Sequence, residues 1–297
     1  MPELPEVEIL ARHLQRVLKN KTICGVLVRR PKVLAPTMEG ELREALQGAT
    51  FTGLSRRGKY LLFTLRGPGR REPLMLVGHL GMTGRIYLSP AQTELPKHAA
   101  VVLDLGGHQL VFEDTRYFGR FTLDLRGPAK LGPEPLEEKF TEAYLAVALK
   151  RSAQAIKIKL LDQTLVAGVG NIYASEALFR AGISPRVAAK RLTGEQVKRL
   201  RVAIREVLAK AIKFGSTVPL NFGNGAGSDG LFYYGGAGAE SGFYQERLLV
   251  YDRQGQPCRK CGSKVKRMVQ AARSTFYCPR CQRSWPGKSI DAKEGTL

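Results

Sequence analysis

Four of the five cysteines in this 297-residue chain lie close together, between Cys258 and Cys281. They form two pairs, Cys258-x2-Cys261 and Cys278-x2-Cys281, separated by sixteen residues. Two such pairs place four thiolates around one zinc ion in a tetrahedral arrangement, with Zn–S distances of about 2.3 Å. Disulfides are the alternative, but they are rare in the cytosol. No open coordination position is implied, so we predict one structural Zn2+ per chain, and no redox or nucleotide cofactor.

The charge of the chain predicts a polyanionic partner. Lys and Arg exceed Asp and Glu, giving a net charge of +21 and a pI near 10.0. Binding of such a chain to phosphates releases condensed counterions, and nucleic acid is the polyanion that best fits this excess. A membrane surface is the weaker alternative, because no basic amphipathic segment is obviously free to lie on one. Without a long apolar run or a signal-like N-terminus, we expect a cytoplasmic chain and no membrane partner.

The first 131 residues read mainly as short β-prone runs separated by turn residues, which is typical of an all-β sandwich or barrel. One helix precedes them, with Pro5 near its start and apolar residues at helical spacing. Cys24 stands alone in the first run, and we interpret it as a small buried residue. The β-prone runs are Ile23–Val28, Tyr60–Leu65, Leu74–Val77, Arg85–Leu88, Ala100–Leu105, Gln109–Glu113 and Arg120–Leu125.

The periodicity changes to helical after Gly132-Pro133-Glu134-Pro135, which is our candidate hinge. We therefore predict four domains or segments: 1–131, 132–246, 247–283 and a flexible tail at 284–297. Predicted helices in the second domain cover Ala143–Leu149, Ile156–Leu165, Asn171–Arg180 and a long stretch after a capping box formed by Thr193 and Gln196. The same domain holds a glycine-rich loop within 218–244.

The cysteine module is strongly basic, with ten Lys or Arg residues and one acid, Asp252, between Arg247 and Arg283. Val265–Met268 and Ser274–Tyr277 alternate as two strands would, with Arg273 at the intervening turn. A zinc-pinned hairpin that carries an arginine near its tip suits a nucleic-acid groove. The alternative to a DNA-binding hairpin is a solvent-exposed basic face that contacts proteins.

Two further motifs have both a functional and a plain structural interpretation. Gly168-Val169-Gly170-Asn171 joins two predicted helices and suits a phosphate site at a helix N-terminus, although a simple turn is at least as common. Pro2 becomes a secondary amine if Met1 is removed, and a neutral amine can attack an electrophilic carbon. Glu3 beside it is a plausible general acid. A proline at the second position is nevertheless commonplace.

Taken together, these motifs resemble bacterial formamidopyrimidine-DNA glycosylase, and they occur in the right order from residue 1 to about 283. Leu4 favours this branch over the related endonuclease VIII branch, which usually has glycine there. The motifs are Met1-Pro2-Glu3-Leu4-Pro5-Glu6-Val7-Glu8, Arg56-Arg57-Gly58-Lys59-Tyr60-Leu61, His79-Leu80-Gly81-Met82, Gly132-Pro133-Glu134-Pro135, Gly168-Val169-Gly170-Asn171-Ile172-Tyr173-Ala174-Ser175-Glu176 and the zinc hairpin.

The resemblance implies a multidomain α+β fold: an N-terminal β-sandwich with a flanking helix, and a C-terminal helix–two-turns–helix domain with a four-cysteine zinc finger. It also implies a monomeric, bifunctional DNA glycosylase and lyase of base excision repair. Such an enzyme acts on duplex DNA with oxidised purines or abasic sites through an N-terminal proline Schiff base, followed by β,δ-elimination. Oxidised pyrimidines and a noncatalytic zinc-ribbon DNA-binding protein remain the alternatives.

The resemblance also assigns roles to single residues. Pro2, Glu3, Lys59 and Arg273 are expected to be catalytic. Met82, Arg116 and Phe118 are expected to fill the space left by the flipped nucleotide, although without the family Met82 and Phe118 would be interpreted as core residues. Lys157 and Asn171 are expected to bind phosphates flanking the lesion, with His98 and Arg151 as further DNA contacts. Glu6 would help to orient the lesion site, and Glu176 would be structural.

Two departures from the family pattern concern the lesion and the DNA contacts. Lys97-His98-Ala99-Ala100 keeps one histidine where the family often has two, as His-Asp-His. The loop after Thr217 is longer and richer in glycine than in the family, and it carries several aromatic residues. In the family, this loop folds over the flipped base. The sequence therefore leaves the lesion preference undecided, whereas the expected strand-cutting chemistry is unaffected.

Overall fold

The computed structural model describes residues 2–215 and 247–283. The glycine-rich loop within 218–244 and the tail 284–297 lie outside the described residues. The helices are α1 Leu4–Leu18, α2 Glu39–Leu46, α3 Arg126–Ala129, α4 Glu142–Lys150, α5 Ile156–Lys159, α6 Asn171–Ala181 and α7 Gly194–Lys213. The strands are β1 Gly25–Val28, β2 Thr50–Arg57, β3 Tyr60–Arg66, β4 Leu74–His79, β5 Gly84–Pro90, β6 Ala99–Asp104, β7 His108–Asp114, β8 Arg120–Thr122, β9 Lys266–Gln270 and β10 Arg273–Tyr277.

The described residues fold into two compact units. The first contains residues 2–140, 162–170, 205–215 and 247–248, and the second contains 141–161, 171–204 and 249–283. Each unit is therefore built from more than one stretch of chain. The four segments expected from the sequence remain a prediction.

Two features of the sequence favour helix α1: a capped N-terminus and a buried apolar face. Glu3 is the N-cap and Glu6 completes a capping box, with a proline in the first turn. The apolar positions of the helix repeat at helical spacing and are all buried, namely Val7, Leu10, Leu14 and Leu18. The helix predicted from the sequence is therefore present, and it packs into the main core of the first unit.

Two antiparallel sheets make up most of the first unit. Their strand orders are β2-β3-β4-β8 and β1-β6-β7-β5. Phe51 and Phe63 from one sheet, and Ile86 and Phe112 from the other, belong to a single buried cluster. The two sheets therefore share one core, which confirms the predicted sandwich.

Sequence analysis missed β2 and α2, and it misplaced Cys24. The Cys24 side chain is exposed. Ile23 and Val26 on either side are buried, and the Cys24 backbone N–H donates to the Asp104 carbonyl at 2.8 Å. The interpretation of Cys24 as a buried residue is wrong.

The second unit contains α4, α5, α6, part of α7 and the β9–β10 hairpin. The predicted helix over Ile156–Leu165 ends at Lys159. Shortly beyond that point, the Asp162 carboxylate accepts hydrogen bonds from the Thr164 backbone N–H and hydroxyl, at 2.9 and 2.7 Å. Local bonds of this kind compete with helix hydrogen bonds and favour a turn. By contrast, the Thr193–Gln196 capping box of α7 is present, with bonds of 3.0 and 3.3 Å.

A buried carboxylate fixes the segment that leads into the cysteine module. Glu176 of α6 is buried, and it accepts hydrogen bonds from the backbone N–H groups of Leu249, Val250 and Tyr251, each 2.9 Å long. Burial raises the pKa of Glu176, while the three N–H groups act in the opposite direction. The predicted structural role of Glu176 therefore matches its contacts.

None of the described helices has the length and apolar character needed to cross a lipid bilayer.

Replacing Glu176 with Ala should destabilise the protein, because three buried N–H groups lose their acceptor. We expect the free energy of unfolding to fall by at least about 3 kcal/mol, with a smaller loss for Glu176→Gln, which keeps one acceptor oxygen. Denaturant unfolding measures both values. The control is Glu195→Ala, since Glu195 makes an exposed 3.7 Å ion pair with Arg199 and its loss should change stability by less than about 0.5 kcal/mol. Equal stability of the Glu176→Ala and Glu195→Ala proteins would contradict the anchoring role.

Candidate active site and zinc finger

The N-terminal segment is held by hydrogen bonds from the backbone N–H groups of Glu3 and Leu4. Pro2 is buried, and the Glu3 side chain is 1% exposed. The Glu3 backbone N–H donates to Glu6 Oε2 at 2.8 Å, and the Leu4 N–H donates to the Gly168 carbonyl at 3.1 Å. Glu6 therefore fixes the start of α1, directly beside the two residues expected to be catalytic.

The two glycines of the Gly168-Val169-Gly170-Asn171 motif allow the chain to approach this segment. A Cβ atom on Gly170 would lie 2.5 and 2.7 Å from the two carboxylate oxygens of Glu3. A Cβ on Gly168 would lie 2.6 Å from Leu4 Cβ, and Gly168 also has a positive φ of 82°. Both positions therefore require glycine for a steric reason.

This geometry corrects the sequence-based interpretation of the motif. The motif does not join two regular helices, because α5 ends at Lys159 and the chain then runs through turns to α6. Its glycines contact Glu3 and Leu4. Alternating glycines were the available sequence signal, but the sequence did not show which group approached them.

Lys59 lies in a tight turn between β2 and β3. Arg57 pairs with Tyr60, so Gly58 and Lys59 form a two-residue loop. Gly58 has a φ of +57°, as required at the first central position of a type II′ turn. A Cβ at Gly58 would lie 2.6 Å from Leu131 Cδ1 and 3.5 Å from the Gly168 backbone nitrogen. The Lys59 turn and the N-terminal segment therefore both pack against the 167–170 loop.

The Glu134 carboxylate fixes the turn that carries Lys59. One of its oxygens accepts hydrogen bonds from the Gly58 N–H at 2.6 Å and from Arg57 at 3.0 Å, and the other accepts from Arg56 at 2.7 Å. The neighbouring backbone is also bonded, since the Ala167 N–H donates to the Pro133 carbonyl at 3.0 Å. The candidate hinge is therefore hydrogen-bonded to other segments of the first unit. Glu134 is a positioning residue that was not predicted from the sequence.

His79 contributes a neutral imidazole near Lys59. Burial lowers the pKa of His79 to about 4, with further contributions from the positive charges of Lys59 and Arg120. Its Nδ1 accepts the Gly81 N–H at 3.2 Å, so the ring hydrogen of the neutral form lies on Nε2. His79 was visible in the sequence only as part of a family motif.

The three residues expected to fill the vacated space occupy two adjoining turns of the first unit. Met82 and Phe118 are 44% and 50% exposed, so neither is a core residue. The Arg116 guanidinium lies over the Phe118 ring at 4.7 Å. Buried Asp114 joins the two turns, accepting hydrogen bonds from the Thr83 hydroxyl at 2.6 Å and from the Arg116 and Gly119 N–H groups at 3.1 and 2.8 Å. His98 lies half-buried in the same unit.

The expected DNA contacts of the second unit centre on the hairpin. Lys157 is fully buried, and its ammonium donates to Asn171 Oδ1 and, at 3.3 Å, to the Thr275 hydroxyl. The Asn171 amide donates to the Ser274 carbonyl at 2.9 Å. These bonds tie α5 and α6 to β10, whose first residue is Arg273. Arg273 is exposed, as is Arg151 at the C-cap of α4.

The four cysteines fit a zinc ion. Their Sγ atoms all lie within 4.8 Å of one another, with Cys258–Cys281 and Cys261–Cys278 separations of 3.9 and 3.5 Å. A tetrahedron with Zn–S distances of about 2.3 Å places sulfurs about 3.8 Å apart. The predicted hairpin is also present as β9 and β10, with Ala271 and Ala272 in the turn.

Replacing Gly170 with Ala tests the contact with Glu3. Because Gly170 has no left-handed φ, the new methyl group acts mainly by displacing the Glu3 carboxylate. We expect the base excision implied by the resemblance to fall on the order of 100-fold, measured as single-turnover release of a damaged base. Gly40→Ala is the control, since nothing lies within 4 Å of a Cβ there. Excision by Gly170→Ala at the rate of the Gly40→Ala protein would show that the contact is unimportant.

Three protein-family models match consecutive parts of the chain. The formamidopyrimidine-DNA glycosylase N-terminal domain matches residues 1–121, and the H2TH domain of the same enzyme matches residues 131–220. The zinc finger found in FPG and IleRS matches residues 255–283. The matches therefore include the N-terminal segment, the 167–170 loop and the four cysteines.

Similar proteins cover nearly the whole chain. Formamidopyrimidine-DNA glycosylase of Desulfitobacterium hafniense is 43% identical over 95% of this chain and 100% of its own length. The Thermus thermophilus enzyme is 42% identical, over 96% and 100%. Among solved structures, Lactococcus lactis Fpg with abasic-site DNA superimposes with a TM-score of 0.83 at 33% identity, and with N7-benzyl-Fapy-dG DNA at 0.82 and 33%. Both superpositions cover 95% of this chain and 100% of the other.

These findings confirm the predicted fold class, the enzyme class and the four-cysteine zinc finger. The roles of single residues are separate questions, because similarity over the whole chain does not test them. With curated relatives above 40% identity over almost its full length, the chain belongs to the formamidopyrimidine-DNA glycosylase family.

Proposed function

We propose that the protein is a bifunctional glycosylase and lyase that removes oxidised purines from duplex DNA and cuts the strand at the resulting abasic site. The observation that carries this proposal is the placement of Pro2 and Glu3. Both are buried, and Glu3 lies against Gly170 with its backbone fixed by Glu6. A nucleophile and an acid on adjacent, ordered residues fit attack on a sugar carbon.

The first step uses both residues. After Met1 has been removed, the Pro2 nitrogen forms a bond to C1′ of the damaged nucleotide, and the bond from C1′ to the base breaks. Glu3 gives its proton to the ring oxygen O4′, so the sugar opens. The Pro2 nitrogen loses its proton, which neutralises the departing base, and its electron pair replaces the broken C1′–O4′ bond, so a positively charged iminium group remains between Pro2 and C1′.

The later steps cut the strand. The iminium group makes the C2′ proton acidic, and its removal expels the 3′ phosphate by β-elimination. A second proton loss expels the 5′ phosphate by δ-elimination, and water then releases Pro2. Lys59 and Arg273 are the cations that we assign to these steps, through contact with the phosphates that leave.

DNA recognition requires the damaged nucleotide to leave the base stack. Met82 and Phe118 suit insertion into the vacated space, because both are exposed apolar side chains, and Arg116 suits hydrogen bonds to the orphaned cytosine. Exposed Arg151 and half-buried His98 suit flanking phosphates. We assign Asn171 and Lys157 to the same backbone, with Lys157 acting in part by holding Asn171.

The relatives support a purine lesion but do not exclude others. Solved structures of similar proteins include complexes with carbocyclic 8-oxo-G DNA and with Fapy-dG DNA, and also one with an oxidised pyrimidine. We propose 8-oxoguanine and formamidopyrimidines as the main substrates, and a monomer that acts in the bacterial cytoplasm at the nucleoid. Thymine glycol as the preferred substrate would instead indicate endonuclease VIII specificity.

The Glu3→Gln variant tests whether Glu3 acts as the acid in base excision. We expect excision of 8-oxoguanine to slow by at least 100-fold, because the amide cannot protonate O4′, a contribution typical of general acid catalysis at roughly 10²–10⁴. Cutting of a preformed abasic site should slow much less, because its ring opens without the enzyme. Single-turnover assays on duplexes with 8-oxoguanine, thymine glycol or an abasic site measure these rates. The control is Glu39→Gln, since Glu39 forms an exposed ion pair with Arg43.

Equal losses on damaged and abasic duplexes would contradict the acid role of Glu3. A wild-type protein that binds distorted duplex but yields no cut strands would instead support the noncatalytic alternative.

A further inference from the structure

Tyr117 has an unusual backbone conformation in the turn that carries Arg116 and Phe118. Its φ is +53°, which costs a residue with a side chain about 1 kcal/mol or more. The turn keeps this conformation because the Asp114 carboxylate accepts hydrogen bonds from the N–H groups of Arg116 and Gly119, on either side of Tyr117. The Tyr117 ring is therefore fixed in place, where it contacts Arg30 and His98.

The Tyr117 hydroxyl joins these two basic side chains. Arg30 Nε donates to Tyr117 Oη at 3.1 Å, and His98 Nδ1 lies 3.4 Å from the same oxygen. The Arg30 guanidinium also lies over the Tyr117 ring, 5.5 Å from its centroid, and the His98 ring meets Tyr117 edge to face at 6.3 Å. The three side chains come from separate parts of the sequence and form one cluster, which we name the Tyr117 cluster.

The charge of this cluster is not neutralised by an acid. Within residues 2–215 and 247–283, no carboxylate lies within ion-pair distance of Arg30, whereas Arg43 and Arg126 each pair with one. The oxygens of Asp114 are engaged with Thr83 and the backbone of its own turn. A tyrosine ring attracts a guanidinium without cancelling its charge, so it orients Arg30 and leaves the cation available to an anion.

We propose that the Tyr117 cluster is a binding site for a phosphate of the DNA backbone, in which Arg30 supplies the charge and Tyr117 positions both Arg30 and His98. The inference rests on the proposed function, because the cluster belongs to the same turn as Arg116 and Phe118. The phosphate is therefore one that lies close to the lesion. Arg30 is exposed, and although its Nη1 donates to the Arg29 carbonyl at 3.3 Å, its guanidinium retains further N–H donors, which suit phosphate oxygens.

The test compares Arg30→Gln with Arg29→Gln in the zinc-loaded, full-length protein. Arg29 is adjacent and exposed, but its guanidinium donates to the Pro96 carbonyl at 3.3 Å, whereas that of Arg30 donates to Tyr117 Oη. Equilibrium binding to a duplex with a tetrahydrofuran abasic analogue, which cannot be cut through an iminium group, is measured at several salt concentrations. Thermal unfolding checks that each variant is folded.

We expect Arg30→Gln to weaken binding about 10-fold, and to reduce the slope of log affinity against log salt by about 0.9, as for one lost phosphate contact. Arg29→Gln should weaken binding less than about 3-fold. Tyr117→Phe keeps the ring and the charge, so it should weaken binding about 3-fold with an unchanged salt slope, by loss of one hydrogen bond.

An unchanged salt slope for Arg30→Gln, or equal effects of Arg30→Gln and Arg29→Gln, would overturn the proposal. Wild-type affinity of Tyr117→Phe would overturn the positioning role. A wild-type protein that fails to bind the tetrahydrofuran duplex would contradict the proposed function as well, and that outcome is recognised before any variant is compared.

Discussion

The Glu3 carboxylate lies so close to the Gly170 backbone that no side chain larger than hydrogen fits there. Neighbouring segments of the first unit pack on the same loop. The Gly168 carbonyl accepts a hydrogen bond from the Leu4 N–H, and the missing side chain of Gly168 leaves room for Leu4. The Gly168 backbone nitrogen lies close to the Gly58 turn. One short loop thus contacts Glu3, Leu4 directly after it and the turn that carries Lys59.

Buried acidic side chains stabilise loops and turns in this chain, whose net charge is +21. Glu134 fixes the Lys59 turn, Asp114 fixes the turn that carries Arg116 and Phe118, and Glu176 fixes the entry to the cysteine module. Each carboxylate accepts backbone N–H groups, which offsets the cost of its burial. Because these acids are engaged inside the protein, several exposed arginines keep a charge that suits a polyanion, Arg273 among them.

Local patterns were sufficient to predict much of this structure. The spacing of the cysteines indicated the metal site, short β-prone runs between turn residues indicated seven strands of the sandwich, and a capping box marked the start of α7. Contacts between distant parts of the chain could not be predicted in this way. Nothing local shows that Gly170 meets Glu3, that Glu134 meets Gly58 or that Tyr117 joins Arg30 to His98. The strand β2 was missed because Thr50–Arg57 contains a glycine and three polar or charged residues at its end, so its alternation is weak.

We propose that the N-terminal amine of Pro2 forms the covalent bond to the sugar. The most direct measurement is borohydride reduction during reaction with an 8-oxoguanine duplex, followed by peptide mapping of the trapped protein by mass spectrometry. We expect a chain that lacks Met1 and carries the reduced sugar remnant on Pro2. A remnant on Lys59 or another lysine, or no trapped adduct with active wild-type protein, would contradict it.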